Sequence, residues 1–348
     1  MRRAQVTRSP YGRWLPWIGG LVGLVTLAWV LRRFDLDRFL TLLAGAKWHY
    51  LVIMVLTIAG EQFVRAWKWR QLLYALRPVG TLQLFGAIMA GYLIASLVPF
   101  GAGTVARSWL IARRENIKLA AVLPSVALDR LTDSVVFACL MPIALLSVIF
   151  PDPTGDIRSG LNWAGAGSFV LFALLLFALA AYRYGALGTE GRLLRLVDRL
   201  PARMAGPVRR AAASFAEGIV WPRQAWRGAG IVAASACIKV IAATHFLWAG
   251  LAFGVVLQPA QYLFLIVFLG FLIILGHFVR LAGSFLIGSV FVLGLFGVAE
   301  EAAFAMALVV EGAAILSICG IGALAMWRQG IALADVRAAE GDSSVRSA

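Results

Sequence analysis

The chain has 348 residues, 61% of them hydrophobic and 14% charged, and its 32 Lys and Arg outweigh 17 Asp and Glu for a formal charge of +15. Soluble domains carry about 25% charged residues, so this composition argues against a soluble domain and for an integral membrane protein. The basic residues cluster between apolar runs, as they do in cytoplasmic loops, so the charge calls for no nucleic-acid partner.

Residues 1–13 carry Arg2, Arg3, Arg8 and Arg13 and no acid. The apolar run 14–31 ends at Arg32-Arg33 with no small-residue cleavage site before it. This predicts a retained first helix with a cytoplasmic N-terminus. A loop with Asp35 and Asp37 is expected next, then a second helix over 48–67. Trp48 and Tyr50 suit one membrane interface, and Trp67 and Trp69 the other. Lys68, Arg70 and Arg77 mark a cytoplasmic return.

Residues 81–112 form an apolar segment broken at Pro99-Phe100-Gly101-Ala102-Gly103 and carrying Arg107. Both flanks are basic, which predicts a re-entrant hairpin rather than a single crossing. A long helix over 119–150 leads outward to Pro151-Asp152-Pro153, and residues 161–184 form the return helix. The polar region 185–227 holds eight arginines, from Arg192 to Arg227, and Leu193, Leu194, Val197 and Leu200 at helical spacing. It reads either as amphipathic helices on the inner leaflet or as an ordinary basic cytoplasmic loop.

Residues 228–251 form another outward helix, and 302–327 the last one. Between them, 260–298 is too long for one crossing and is interrupted around Gly276-His277-Phe278-Val279-Arg280. This predicts a second re-entrant hairpin, entered from the opposite face. Two interrupted segments, one opening to each side, point to a transport site at mid-membrane. The expected architecture is an all-α polytopic membrane protein of about six transmembrane helices plus two broken re-entrant hairpins. It forms one domain over 1–327, with a short cytoplasmic tail at 328–348.

Ionisable residues at membrane depth are the functional candidates. Glu61 and Arg65 stand four apart on one helix and can pair, unless Arg65 only snorkels to the interface. Arg107, just past the Pro-Gly break, suits a bidentate grip on phosphate, with an interfacial anchor as the alternative. Asp129 and Asp133 share a helix face and Arg130 lies off it. They either relay protons or grip an amine headgroup, or they neutralise the hairpin arginines as ion pairs. Lys239, Arg280 and Glu311 are the second-half candidates for gating or charge pairing, with Glu311 expected to find Arg280 or Lys239. The histidines lack ligand spacing, so neither a metal nor a cofactor is expected. Cys139, Cys237 and Cys319 read as small buried hydrophobes. Nucleotide, serine-hydrolase and zinc-protease motifs are not found.

Three stretches carry a family resemblance: Arg65-Ala66-Trp67-Lys68-Trp69, Pro99-Phe100-Gly101-Ala102-Gly103-Thr104-Val105-Ala106-Arg107, and Leu128-Asp129-Arg130-Leu131-Thr132-Asp133. In order and spacing the chain resembles the lysylphosphatidylglycerol synthetase transmembrane region, the flippase-like domain of multiple-peptide-resistance-factor proteins. Ser96 stands where the family usually has Asn, and Thr104-Val105 where it has Gly-Glu. The later Pro-Gly-x-x-Gly-x-x-Glu motif corresponds to Ala282-Gly283-Ser284-Phe285-Leu286-Ile287-Gly288-Ser289. The resemblance implies a free-standing member without the aminoacyl-transferase domain, and one group of such members is associated with hopanoid biosynthesis. It further implies a bacterial inner-membrane protein that flips or handles membrane lipids; the basic flanks place both termini on the cytoplasmic side, and Arg107 suits a phosphate-bearing headgroup.

On that reading Arg65, Pro99, Gly101, Gly103, Arg107, Asp129, Arg130 and Asp133 form the headgroup path, and Glu61, Lys239, Arg280 and Glu311 gate or balance it. The protein is then not an enzyme. The rivals are a non-transporting accessory protein that docks a lipid- or glycan-synthesis enzyme through 185–227, and a membrane-embedded lipid transferase.

Overall fold

A computed structural model describes residues 36–74, 76–97, 102–148, 221–222, 224–279 and 283–328, with isolated positions between 155 and 174. The helices run α1 Leu36–Ala44, α2 Trp48–Leu73, α3 Thr81–Leu97, α4 Ala102–Glu115, α5 Leu119–Ser147, α6 Ala225–Phe253, α7 Pro259–Val279, α8 Ser284–Leu295 and α9 Glu300–Arg328. Positions 159–160, 163, 166–167, 170 and 174 are helical too, where the return helix 161–184 is expected. The run 14–31, the 151–153 loop, nearly all of 185–227, the tail after Arg328, and Pro99, Gly101 and Arg280 lie outside the described residues.

α2, α5 from Ala121, α6 and α9 are long and apolar enough to cross a membrane, whereas α3, α7 and α8 carry shorter apolar runs. The chain is an all-α polytopic membrane protein. By chain segment it divides into two compact units. One comprises Met1–Met54, Ile143–Gly155 and Ala243–Ala313, and the other Val55–Pro142, Asp156–Ala242 and Ala314–Ala348.

In the first unit α1 replaces the expected loop after Asp35. Asp37 lies in its first turn, where a carboxylate favours the helix N-terminus. Phe39 packs edge-on to Phe304 at 5.7 Å, with Leu43, Phe253 and Leu286 around them. The Lys47 N–H donates to Ala252 O at 3.0 Å, satisfying a carbonyl in the last turn of α6. Gly254, at φ 76°, then ends α6, and the Val255 N–H reaches back to Gly250 O at 2.8 Å. α7 begins with Pro259 in its first turn, which costs no intrahelical hydrogen bond. α7 and α8 fold back on each other: a Cβ on Gly288 would lie 2.3 Å from Leu272 Cδ2.

The core of the second unit is built from Trp69, Leu72, Leu84, Ile88, Ile111, Val122 and Val126, joined by Ile231 of α6 and Met326 of α9. Its hairpin is α3 and α4. A Cβ on Gly103 would stand 2.3 Å from Gly91 O and 2.6 Å from Ala95 Cβ, so the two helices touch backbone to backbone. Gly103 therefore belongs to the packed second arm, not to the break itself. α4 ends with Arg113 and Arg114 in its last turn and Asn116 in the left-handed region at φ 53°. The Ile117 N–H closes that end on Ala112 O at 2.9 Å.

The cysteines depart from expectation. Cys139 and Cys237 are exposed and Cys319 is half-buried. On a membrane-spanning helix an apolar position that no protein covers faces lipid, so an apolar run does not by itself mean a protein core.

Candidate functional site: a buried charge cluster

Three helices of the second unit bring charged side chains together. On α2, Glu61, Arg65 and Lys68 follow the i, i+4, i+7 spacing of one helix face. On α5, Asp129 and Asp133 do the same one turn apart. α4 supplies Arg107, whose stem leaves the helix beside Gly91. A Cβ on Gly91 would lie 2.9 Å from Arg107 Cβ, so the absent side chain makes room for the arginine.

Arg65 donates from Nη2 to Glu61 Oε1 at 3.0 Å and from Nη1 to Asp133 Oδ2 at 2.9 Å. Lys68 Nζ donates to Asp133 Oδ1 at 2.6 Å and to the backbone oxygen of Asp129 at 2.8 Å. It also stands 3.0 Å from Asp129 Oδ1. Arg107 Nη2 is 3.6 Å from Asp129 Oδ2, within ion-pair range but too far for a hydrogen bond. The Arg107 guanidinium lies over the Trp69 ring, 5.2 Å from its centroid, and Trp69 Nε1 donates to Ser125 Oγ at 3.0 Å. All these side chains are buried, Lys68 and Asp129 at 0% exposure and Arg107 at 2%.

Burying a charge costs several kcal/mol unless it is paired and hydrogen-bonded. Arg65, Lys68 and Asp133 meet that condition. Arg107 does not: Nε, Nη1 and Nη2 have no hydrogen-bond partner among the described residues. Lys239 of α6 lies 5.6 Å from the Phe137 ring and within electrostatic reach of Asp133. Together Arg65, Lys68, Arg107 and Lys239 outnumber Glu61, Asp129 and Asp133, which leaves the cluster net positive.

The sequence expectations fare unevenly here. The structure pairs Glu61 with Arg65 and sets Asp129 and Asp133 against the cations. Arg130 is exposed, yet within electrostatic reach of Arg107 and Tyr92. Glu311 is half-buried and belongs to the first unit. Lys68 read as part of a cytoplasmic return and Trp69 as an interfacial residue; both are fully buried within the protein and join the site, where neither was expected. Their signal was available: Lys68 continues the Glu61–Arg65 face, and Trp69 is one turn beyond Arg65. Tyr92, within electrostatic reach of Arg65 and Arg107, was also missed.

Apolar helices of spanning length and a charge cluster sealed among them define an integral membrane protein with a polar site inside its helical bundle. The chain belongs to the lysylphosphatidylglycerol synthase TM region family, whose model matches residues 17–322. It is a membrane protein of that flippase-like family. Comparison with curated proteins and with solved structures returns no match.

Proposed function

We propose that the protein moves a polar or anionic, phosphate-bearing lipid between the leaflets of the bacterial inner membrane. The observation that carries this reading is Arg107: a buried guanidinium with no hydrogen-bond partner among the described residues, in a net-positive cluster. Its planar fork matches two phosphate oxygens at once. Trp69 holds the plane from one side, and Arg65 and Lys68, already tied to carboxylates, keep the surrounding field positive. The acyl tails stay in the bilayer, so only the headgroup passes the cluster. Lys239 adjusts its charge, and both chain termini lie on the cytoplasmic side. Family membership supports this assignment over a transferase.

Proteoliposomes with headgroup-labelled anionic and zwitterionic lipids test the reading. Wild type moves at least one of them faster than empty liposomes, and Arg107→Ala slows that movement by about tenfold or more. Equal rates in the two proteins, with partner binding lost on deleting 185–227, would instead support the accessory role.

A further inference from the structure

Asp129 and Asp133 sit on successive turns of one helix face yet are held in opposite ways. Asp133 accepts a hydrogen bond on each oxygen, from Arg65 and from Lys68. Asp129 is fully buried, but neither Oδ1 nor Oδ2 accepts an aligned hydrogen bond among the described residues. Lys68 stands 3.0 Å from its Oδ1 while bonding Asp133 and the Asp129 backbone oxygen. Arg107 faces its Oδ2 at 3.6 Å and is equally unbonded. Both groups of this pair have left water without gaining a directional bond, so the pair is incomplete.

We propose that Asp129 is a displaceable stand-in for the ligand's phosphate. In the empty site it neutralises Arg107 from a distance, and it yields Arg107 when a phosphate monoester or diester arrives. The proposal rests on the reading of Arg107 as the headgroup site. A carboxylate at 3.6 Å supplies countercharge but leaves the guanidinium N–H groups open, whereas a phosphate supplies charge and parallel acceptors together. Displaced, Asp129 keeps Lys68 beside its other oxygen, so it is not stranded. Asp133, bonded to Arg65 and Lys68, stays fixed as the exchange occurs. The device also selects: a neutral polar headgroup brings no charge with which to compete against the carboxylate.

The test is calorimetric titration of the full chain in neutral detergent with dioctanoylphosphatidylglycerol, beside inorganic phosphate and dioctanoylglycerol. Wild type binds the phospholipid, Arg107→Ala does not, and Asp129→Asn binds it about tenfold tighter because the internal competitor is gone. Should the amide variant not fold, Asp129→Glu decides the matter: its longer arm closes the gap to Arg107, and binding weakens. Arg107-dependent binding that a folded Asp129→Asn fails to tighten overturns the exchange and leaves the headgroup reading standing. No Arg107-dependent binding in either wild type or Asp129→Asn removes both. Inorganic phosphate bound as tightly as the phospholipid, and tightened equally by Asp129→Asn, supports the exchange and assigns the site to free phosphate.

Discussion

Lys68 is the most demanding residue in the cluster. Its side-chain nitrogen is wholly buried and stands against Asp133 Oδ1 and the backbone and side-chain oxygens of Asp129. Lys68→Met fills similar volume but leaves two buried carboxylates sharing what remains, so it should destabilise the protein by about 3–5 kcal/mol. Arg70, whose contact to Thr81 Oγ1 is a long 3.4 Å, is the control: Arg70→Met should shift stability by no more than about 1 kcal/mol. Thermal unfolding in detergent compares them, and equal midpoints would show that the Lys68 pairs contribute nothing. The Glu61–Arg65 pair was legible in the sequence because both partners lie on one helix and spacing alone brings them together. Lys68 shares that helix face, which the sequence also shows, but its partners sit on α5, and only packing shows which neighbour a lysine near a helix end meets.

Among the elements, the α3–α4 hairpin depends on a backbone contact rather than on side-chain interdigitation. Gly103→Ala forces a methyl against Gly91 O and Ala95, and should cost about 1–3 kcal/mol through strain and separation of the arms. Gly60→Ala is the matched substitution in open space, with nothing within 4 Å of the added Cβ. It should be neutral or stabilising by up to about 1 kcal/mol through helix propensity. Unfolding midpoints that fall equally in both variants would contradict the close-contact account. The two-armed form of this segment was readable from its Pro-Gly break between apolar runs. The use of Gly103 was not, because glycine at a break and glycine at a helix crossing look alike in a sequence. α1 escaped detection for a related reason: the acids around residue 36 read as a loop, whereas Asp37 stabilises the first turn of a short helix that Phe39 anchors to Phe304.

At the scale of the whole molecule, the proposed cytoplasmic termini are checked by reporter fusion after residue 328. Alkaline phosphatase fused there should be inactive and a green fluorescent reporter bright, and the reverse pattern would invert the topology. The sequence by itself determined that the chain is a helical membrane protein, roughly where its long helices lie, and which acids and bases fall inside them. Length, apolarity and charge placement are local properties, and a bilayer reads them directly. Only the tertiary structure decided which of those charges meet. It joined Lys68 to Asp133, left Arg107 facing Asp129 without a hydrogen bond, and left Arg130 exposed. The physical reason is that a buried charge is stabilised by groups distant in sequence, within a few ångströms that only packing sets.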